Sequence, residues 1–158
     1  MVILSILILN KAGGLIYQRD FNEGLNKLSS NDYLVLAGTF HGVHAITSRI
    51  SPLPGSGGLE VLESDQFRMQ CFQTLTGSPH SRRARRPLAA DRRCERVHTG
   101  TKFLIFAEPH QPNIDVICRR VYELYADYVM KNPFYKIEMP IRCESFDRHL
   151  AAYIKPKQ

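Results

Sequence analysis

The stretch QTLTGSPHSRRARRPLAADRRCERVHTGTKFLIF, Gln73 to Phe106, decides how the chain is read. Its two ends, QTLTG (Gln73–Gly77) and TKFLIF (Thr101–Phe106), are short, apolar and bounded by turn residues, as strands are. Between them lie the 23 residues Ser78–Gly100, with seven arginines. Read as one unit, the stretch is a basic functional arm. Read as two strands with something set between them, it is a hairpin carrying an insertion. Lengthening a hairpin loop from about four to about 25 residues costs only roughly 1.6 kcal/mol, so a fold tolerates such an insertion.

Charge favours the second reading. The 158 residues carry a formal net charge of +6. Ser78–Gly100 holds seven Arg against Asp91 and Glu95, while the rest of the chain has 14 basic and 13 acidic residues. The body is thus near neutral, and the basic character belongs to the segment. Without aromatics between the arginines there is no stacking platform for single-stranded nucleic acid. The segment could still contact phosphates or anionic lipid. Composition alone makes residues 78–100 a disordered basic insertion between the fourth and fifth strands. It ends in Thr99-Gly100, repeating Thr76-Gly77 before it, as a translated intron could.

Outward from the hairpin, Val2–Leu9 is almost wholly aliphatic, which predicts a strand covered on both faces. Asn10–Gly14 is a turn, and Leu15–Phe21 returns as a second strand. After a polar connection, Ser30 or Asn31 is expected to cap a helix. Its inward stripe is read as Tyr33, Leu36, Phe40, Val43, Ile46 and Ile50. Pro52–Gly58 is a loop. Leu59–Leu62 and Phe67–Leu75 are two strands, and Lys102–Glu108 is a fifth. Asn113 is expected to cap a helix with the stripe Ile114, Ile117, Cys118, Val121, Leu124, Tyr125, Tyr128 and Val129, ended by Lys131-Asn132-Pro133. Phe134–Arg142 has Pro133 before it and Pro140 within it and reads as extended. A final helix from about Ser145 presents Phe146, Leu150 and Tyr153/Ile154. The order β-β-α-β-β-β-α-α predicts a single α+β domain, residues 1–158, with a five-stranded antiparallel sheet and helices on both faces.

The sequence carries few residues in patterns that chemistry would need. The four cysteines, Cys71, Cys94, Cys118 and Cys143, form no CxxC pair; Cys71 and Cys118 read as buried thiols in a reducing, cytosolic setting. His41 and His44 lack a third ligand at a usable offset and read as face or interface residues. Gly55–Gly58 follows a helix and precedes a strand, the reverse of a phosphate loop. The apolar run Val2–Leu9 is too short to cross a bilayer. No catalytic residue, cofactor or metal site is expected.

The pieces outside the insertion resemble a known family. NKAGGLIYQ (Asn10–Gln18), GLEVLESDQFRMQCF (Gly58–Phe72), FQTLTG with TKFLIF, and KNPFYKIEMPIRCESFD (Lys131–Asp147) are similar to the synbindin family, small core subunits of the TRAPP vesicle-tethering complex. The resemblance implies a longin-like (SNARE-like) fold with one helix on one face of the sheet and two on the other. It implies a non-catalytic subunit of an assembly that acts as nucleotide-exchange factor for a Rab-family GTPase. The assembly tethers vesicles in endoplasmic reticulum-to-Golgi transport. The implied partners are the other small TRAPP subunits and, through them, the GTPase. The implied place is cytoplasmic, peripheral at the cis-Golgi and endoplasmic reticulum, with nucleic acid not expected. Animal members carry a PDZ-like module between the second strand and first helix; here Phe21–Ser30 stands in that place, so functions of that module do not carry over. The other class of reading is a module that binds anionic membrane or nucleic acid through the arginine segment. Asn132, Pro133, Phe134, Tyr135, Glu138, Met139, Pro140 and Arg142 are the expected partner surface, since the run has residue types enriched at interfaces.

Overall fold

A computed structural model describes residues 3–22, 28–52, 57–74 and 100–155. Residues 78–99 of the arginine segment lie outside the described residues. The strands are β1 (Ile3–Leu9), β2 (Leu15–Asp20), β3 (Val61–Glu63), β4 (Arg68–Gln73) and β5 (Lys102–Ala107). The helices are α1 (Ser30–Ile50), α2 (Ile114–Leu124), which runs on into a π-helical stretch at Tyr125–Met130, and α3 (Glu144–Ile154). The strands form one sheet in the order β2-β1-β5-β4-β3, every neighbouring pair antiparallel.

The reading of Gln73–Phe106 as two hairpin arms is correct. β4 and β5 pair from Arg68↔Ala107 to Gln73↔Lys102. One step further, the Thr74 N–H donates to the Thr101 carbonyl at 3.0 Å. The ladder therefore runs to Thr74 on one arm and to Thr101, next to the basic segment, on the other. A Cβ on Gly100 would lie 1.5 Å from the Thr74 carbonyl oxygen, so only glycine fits where the chain re-enters the sheet.

β1 and β5 are buried at every position. Their alternating side chains feed two cores. Ile3, Ile6, Ile8, Phe103, Ile105 and Ala107 pack with α2 and α3. Leu4, Leu7, Leu9, Leu104 and Phe106 pack with α1, joined by Met69 and Cys71 of β4. One helix thus covers one face and two cover the other, the expected longin-like layering. On the two-helix side, Ile114, Ile117, Cys118, Val121, Leu124, Tyr125 and Val129 are buried as the stripe predicts, with Tyr128 packed at its margin. Phe146, Leu150 and Ile154 bring α3 onto the same core. The Tyr17 ring meets Phe146 edge-on at 5.1 Å, and its hydroxyl donates to Asp147 Oδ1 at 2.6 Å.

Several local expectations are corrected. Neither Ser30 nor Asn31 caps α1. Ser29 does: its hydroxyl accepts from the Asp32 N–H, while the Asp32 carboxylate accepts the Ser29 N–H at 3.1 Å. That reciprocal box outcompetes the two adjacent candidates, which become helix residues. Asn113 starts α2 from a left-handed conformation (φ 59°) and its side chain makes no capping bond. β3 is displaced to Val61–Glu63, although the Glu60 carbonyl still accepts the Cys71 N–H at 2.7 Å. Phe134–Arg142 is not extended. It folds into turns, closed by Tyr135 N–H to Asn132 O at 3.1 Å and Met139 N–H to Lys136 O at 3.2 Å. An extended run needs a strand beside it, and this one gains a single sheet bond, Ile141 N–H to Ile16 O at 2.8 Å.

The stripe assigned to α1 is corrected too. The face on the sheet is Tyr33, Ala37, Phe40 and His44. Val43, Ile46 and Ile50 are exposed. The Tyr33 hydroxyl bonds both oxygens of Asp20 at 3.0 and 3.1 Å, and Ala37 lets the helix sit close. Together they fix the helix rotation that apolar periodicity alone left open.

Phe146→Ala should cost about 3–5 kcal/mol in urea unfolding, the loss of a fully buried aromatic. Phe134→Ala, on a side chain 92% exposed, should stay within about 0.5 kcal/mol.

Candidate partner interface

The titratable groups in the interior serve packing. His41 and His44 sit one turn apart on α1 but meet different partners. His44 is buried, its Nε2 3.1 Å from Gln73 Oε1 and its ring stacked on Phe40. His41 Nδ1 lies 3.5 Å from Lys102 Nζ. No group of three or more His, Cys, Asp or Glu could hold a metal ion among the described residues. Burial pushes the Cys71 and Cys118 thiols up to about 12, which keeps them protonated and unreactive.

Lys102 is a feature the sequence reading passed over. It begins β5, and strand alternation puts its side chain on the α1 face with Leu104 and Phe106, where it is 1% exposed. Burial holds its ammonium below the usual lysine range. His41 is likewise lowered, first by burial, then by the Lys102 and His44 charges. The folded chain therefore binds the His41 proton less readily than the unfolded chain does. That contribution to stability is present above the ordinary value of 6.5 and is lost as pH falls from there through the lowered value of the folded chain. Between about pH 7.5 and 5.5 the wild-type melting temperature should drop further than that of His41→Asn, compared by calorimetry. Equal drops would remove His41 from the account.

Among the described residues, two surfaces expose clusters of apolar side chains. The first is the outer side of α1. Leu34, Val35, Val43, Ile46 and Ile50 are 55, 61, 43, 60 and 72% exposed. Asp32 and Arg49 are the only Asp, Glu, Lys or Arg in the 21 residues of the helix. Beside it runs an apolar groove of about 490 Å³ between α1 and the β3–β4 hairpin, lined by residues that include Val35, Leu36, Val43, Leu59, Leu62 and Phe67. The groove leads to β3, an edge strand whose Val61 and Leu62 are also exposed. Sequence reading placed three of these five aliphatics, Val43, Ile46 and Ile50, in the core. The signal it passed over was too many apolar residues for one face, with too few charges on the other.

The second surface is the expected one. Pro133, Phe134, Glu138, Met139, Pro140 and Arg142 are exposed, and Asn132 and Tyr135 half-buried. Tyr135 packs against the two-helix core, so this residue covers the domain's own interior. Its hydroxyl donates to the Met139 carbonyl at 3.0 Å. Asn132 shapes the turn by accepting the Phe134 N–H at 3.0 Å. Glu138 sits at φ 76°, a conformation uncommon for a residue with a side chain.

A model of the Sybindin-like family matches residues 3–79 and 92–157, so positions 80–91 of the arginine segment fall between the matched stretches. Trafficking protein particle complex subunit 4 of Dictyostelium discoideum is 48% identical over 151 residues, covering 95% of this chain and 94% of that protein. The protein of the same name from Bos taurus is 44% identical over 134 residues, covering 85% of this chain but 51% of that protein. The chain thus spans about half the length of that vertebrate relative. A solved structure of MglB with tetrameric arrangement has a TM-score of 0.48 at 11% identity, over 75% of this chain and 71% of that one. With a family model matched over most of its length and a relative 48% identical across nearly the whole chain, this chain belongs to the Sybindin-like family.

Proposed function

We propose that the chain is a non-catalytic core subunit of a TRAPP assembly. In this reading it helps form a composite exchange surface for a Rab-family GTPase in vesicle tethering between endoplasmic reticulum and Golgi. It works from the cytoplasm and meets membranes through the assembled complex. The observation that carries the reading is the outer side of α1. A helix of 21 residues with two such charged side chains and five exposed aliphatics, next to an apolar groove and a short edge strand, is a surface meant to be covered. The name borne by the relatives, a subunit of a trafficking complex, supports the same reading. Residues 132–142 supply a second contact for a neighbouring subunit or the GTPase.

Glycines sharpen the first surface. Gly38 and Gly42 lie one turn apart on the exposed side of α1, and a Cβ on either would meet nothing within 4 Å. Inside a helix each costs about 1 kcal/mol relative to alanine. Nothing within the described chain offsets that cost, whereas a partner backbone approaching closely would.

Co-expression with the other small TRAPP subunits, followed by size-exclusion chromatography, tests the proposal. Wild type should co-elute, and the resulting complex should speed nucleotide release from a Rab GTPase while the chain alone does not. Val35→Glu with Ile46→Glu should abolish co-elution without lowering the melting temperature. Gly38→Ala with Gly42→Ala should stabilise the isolated chain by about 1–2 kcal/mol and still weaken assembly. Wild-type failure to co-elute, or unimpaired assembly of the glutamate variant, would contradict the reading.

A further inference from the structure

We propose that residues 131–142 form a rigid knob, with Phe134 as its anchor, that seats in an apolar pocket rimmed by carboxylates on a partner protein. The inference rests on the subunit reading for where that partner is sought. Phe134 is 92% exposed, with Ile137 at 71% and Met139 at 56% in the same segment and Met130 at 39% just before it. An aromatic so open is stranded in water unless something receives it, and aromatic side chains dominate binding energy at protein interfaces.

The backbone that presents the ring is held at both ends. Asn132 accepts the Phe134 N–H on its side chain and the Tyr135 N–H on its carbonyl. Tyr135 is packed on the core and bonds Met139. Ile141 bonds the β2 backbone at Ile16, and the Cys143 thiol donates to the Tyr128 carbonyl at 3.6 Å. A loop ordered before it binds loses little freedom on docking, which favours an anchor over a random exposed side chain.

Charge indicates what the rim of the pocket must carry. Lys131, Lys136 and Arg142 stand against Glu138 within the segment. Lys131 is paired with Asp127 at 2.5 Å. Lys136 and Arg142 make no ion pair with any described residue, so two cations are left for a partner to neutralise, partly offset by Glu138. Carboxylates around an apolar pocket supply that match. A lipid surface fits less well. The net positive charge is too small to hold the segment to anionic headgroups, and insertion into lipid makes no use of a loop pinned at both ends.

The test uses the full chain with the other small TRAPP subunits and the GTPase, each purified, and phosphatidylcholine–phosphatidylserine vesicles as a separate arm. Variants are Phe134→Ala, Phe134→Trp, and Lys136→Glu with Arg142→Glu. Phe134→Ala should weaken binding to one of the proteins by about 30-fold or more, as loss of a hot spot does, with unchanged melting temperature. Phe134→Trp should retain most of the affinity. The charge reversal should weaken the same complex at low salt, with the difference shrinking at high salt. Vesicle binding should not change in any variant. If wild type binds none of the proteins, the subunit reading and the knob fall together. If wild type binds and Phe134→Ala binds equally well, only the knob is overturned. Loss of vesicle binding in Phe134→Ala would replace the protein pocket with a membrane.

Discussion

The antiparallel pair β1–β5 sets the terms for everything else in this domain. Residues 3–9 and 102–107 form the middle of the sheet and are buried on both sides. A strand with two apolar faces must have a layer above and a layer below. Hence α1 lies on one face and α2 with α3 on the other, and hence there are two separate cores. The constraint also explains why a long basic segment between β4 and β5 is compatible with the fold. Pairing is complete from Arg68↔Ala107 to Gln73↔Lys102, and Thr74 and Thr101 close it before the segment begins.

The two faces are finished differently. The α2/α3 face is self-sufficient: two helices cover it, and Asp147 ties α3 to β2 by accepting from Tyr17 and Arg19. The α1 face has one helix for the whole width of the sheet. A gap remains on the β3 side, and the outer surface of the helix has the character of a core without a neighbour. That asymmetry gives physical sense to a subunit role. The exposed aliphatics of α1 and the groove beside it are the surface that a neighbouring subunit would cover in the proposed role.

How much of this could be read in the sequence depended on the kind of signal. Val2–Leu9 announced a doubly buried strand because no polar alternation breaks it, and KFLIFAE announced a strand whose burial on both faces only the structure shows. The stripe from Ile114 to Val129 announced its own buried face because Arg119, Arg120 and Glu123 mark the other side. α1 gave no such mark. With Leu34, Val35, Val43, Ile46 and Ile50 all aliphatic, several rotations satisfied the apolar count. Contacts distant in sequence, such as Tyr33 with Asp20, made the choice. Ser29 was hidden among three adjacent capping candidates and was selected by Asp32. Lys102 looked like a strand boundary and proved buried, because alternation places it under α1. In residues 132–142 the residue types were legible but their conformation was not, since turns held by Asn132 and Tyr135 leave no periodic trace.

Hydrogen exchange of the chain alone and within a complex of small TRAPP subunits tests the central claim most directly. If α1 is built to be covered, amides across residues 30–50 and 61–63 should gain protection on assembly, while the already buried β1 and β5 change little. An assembled complex in which those amides exchange as fast as in the isolated chain would contradict the account.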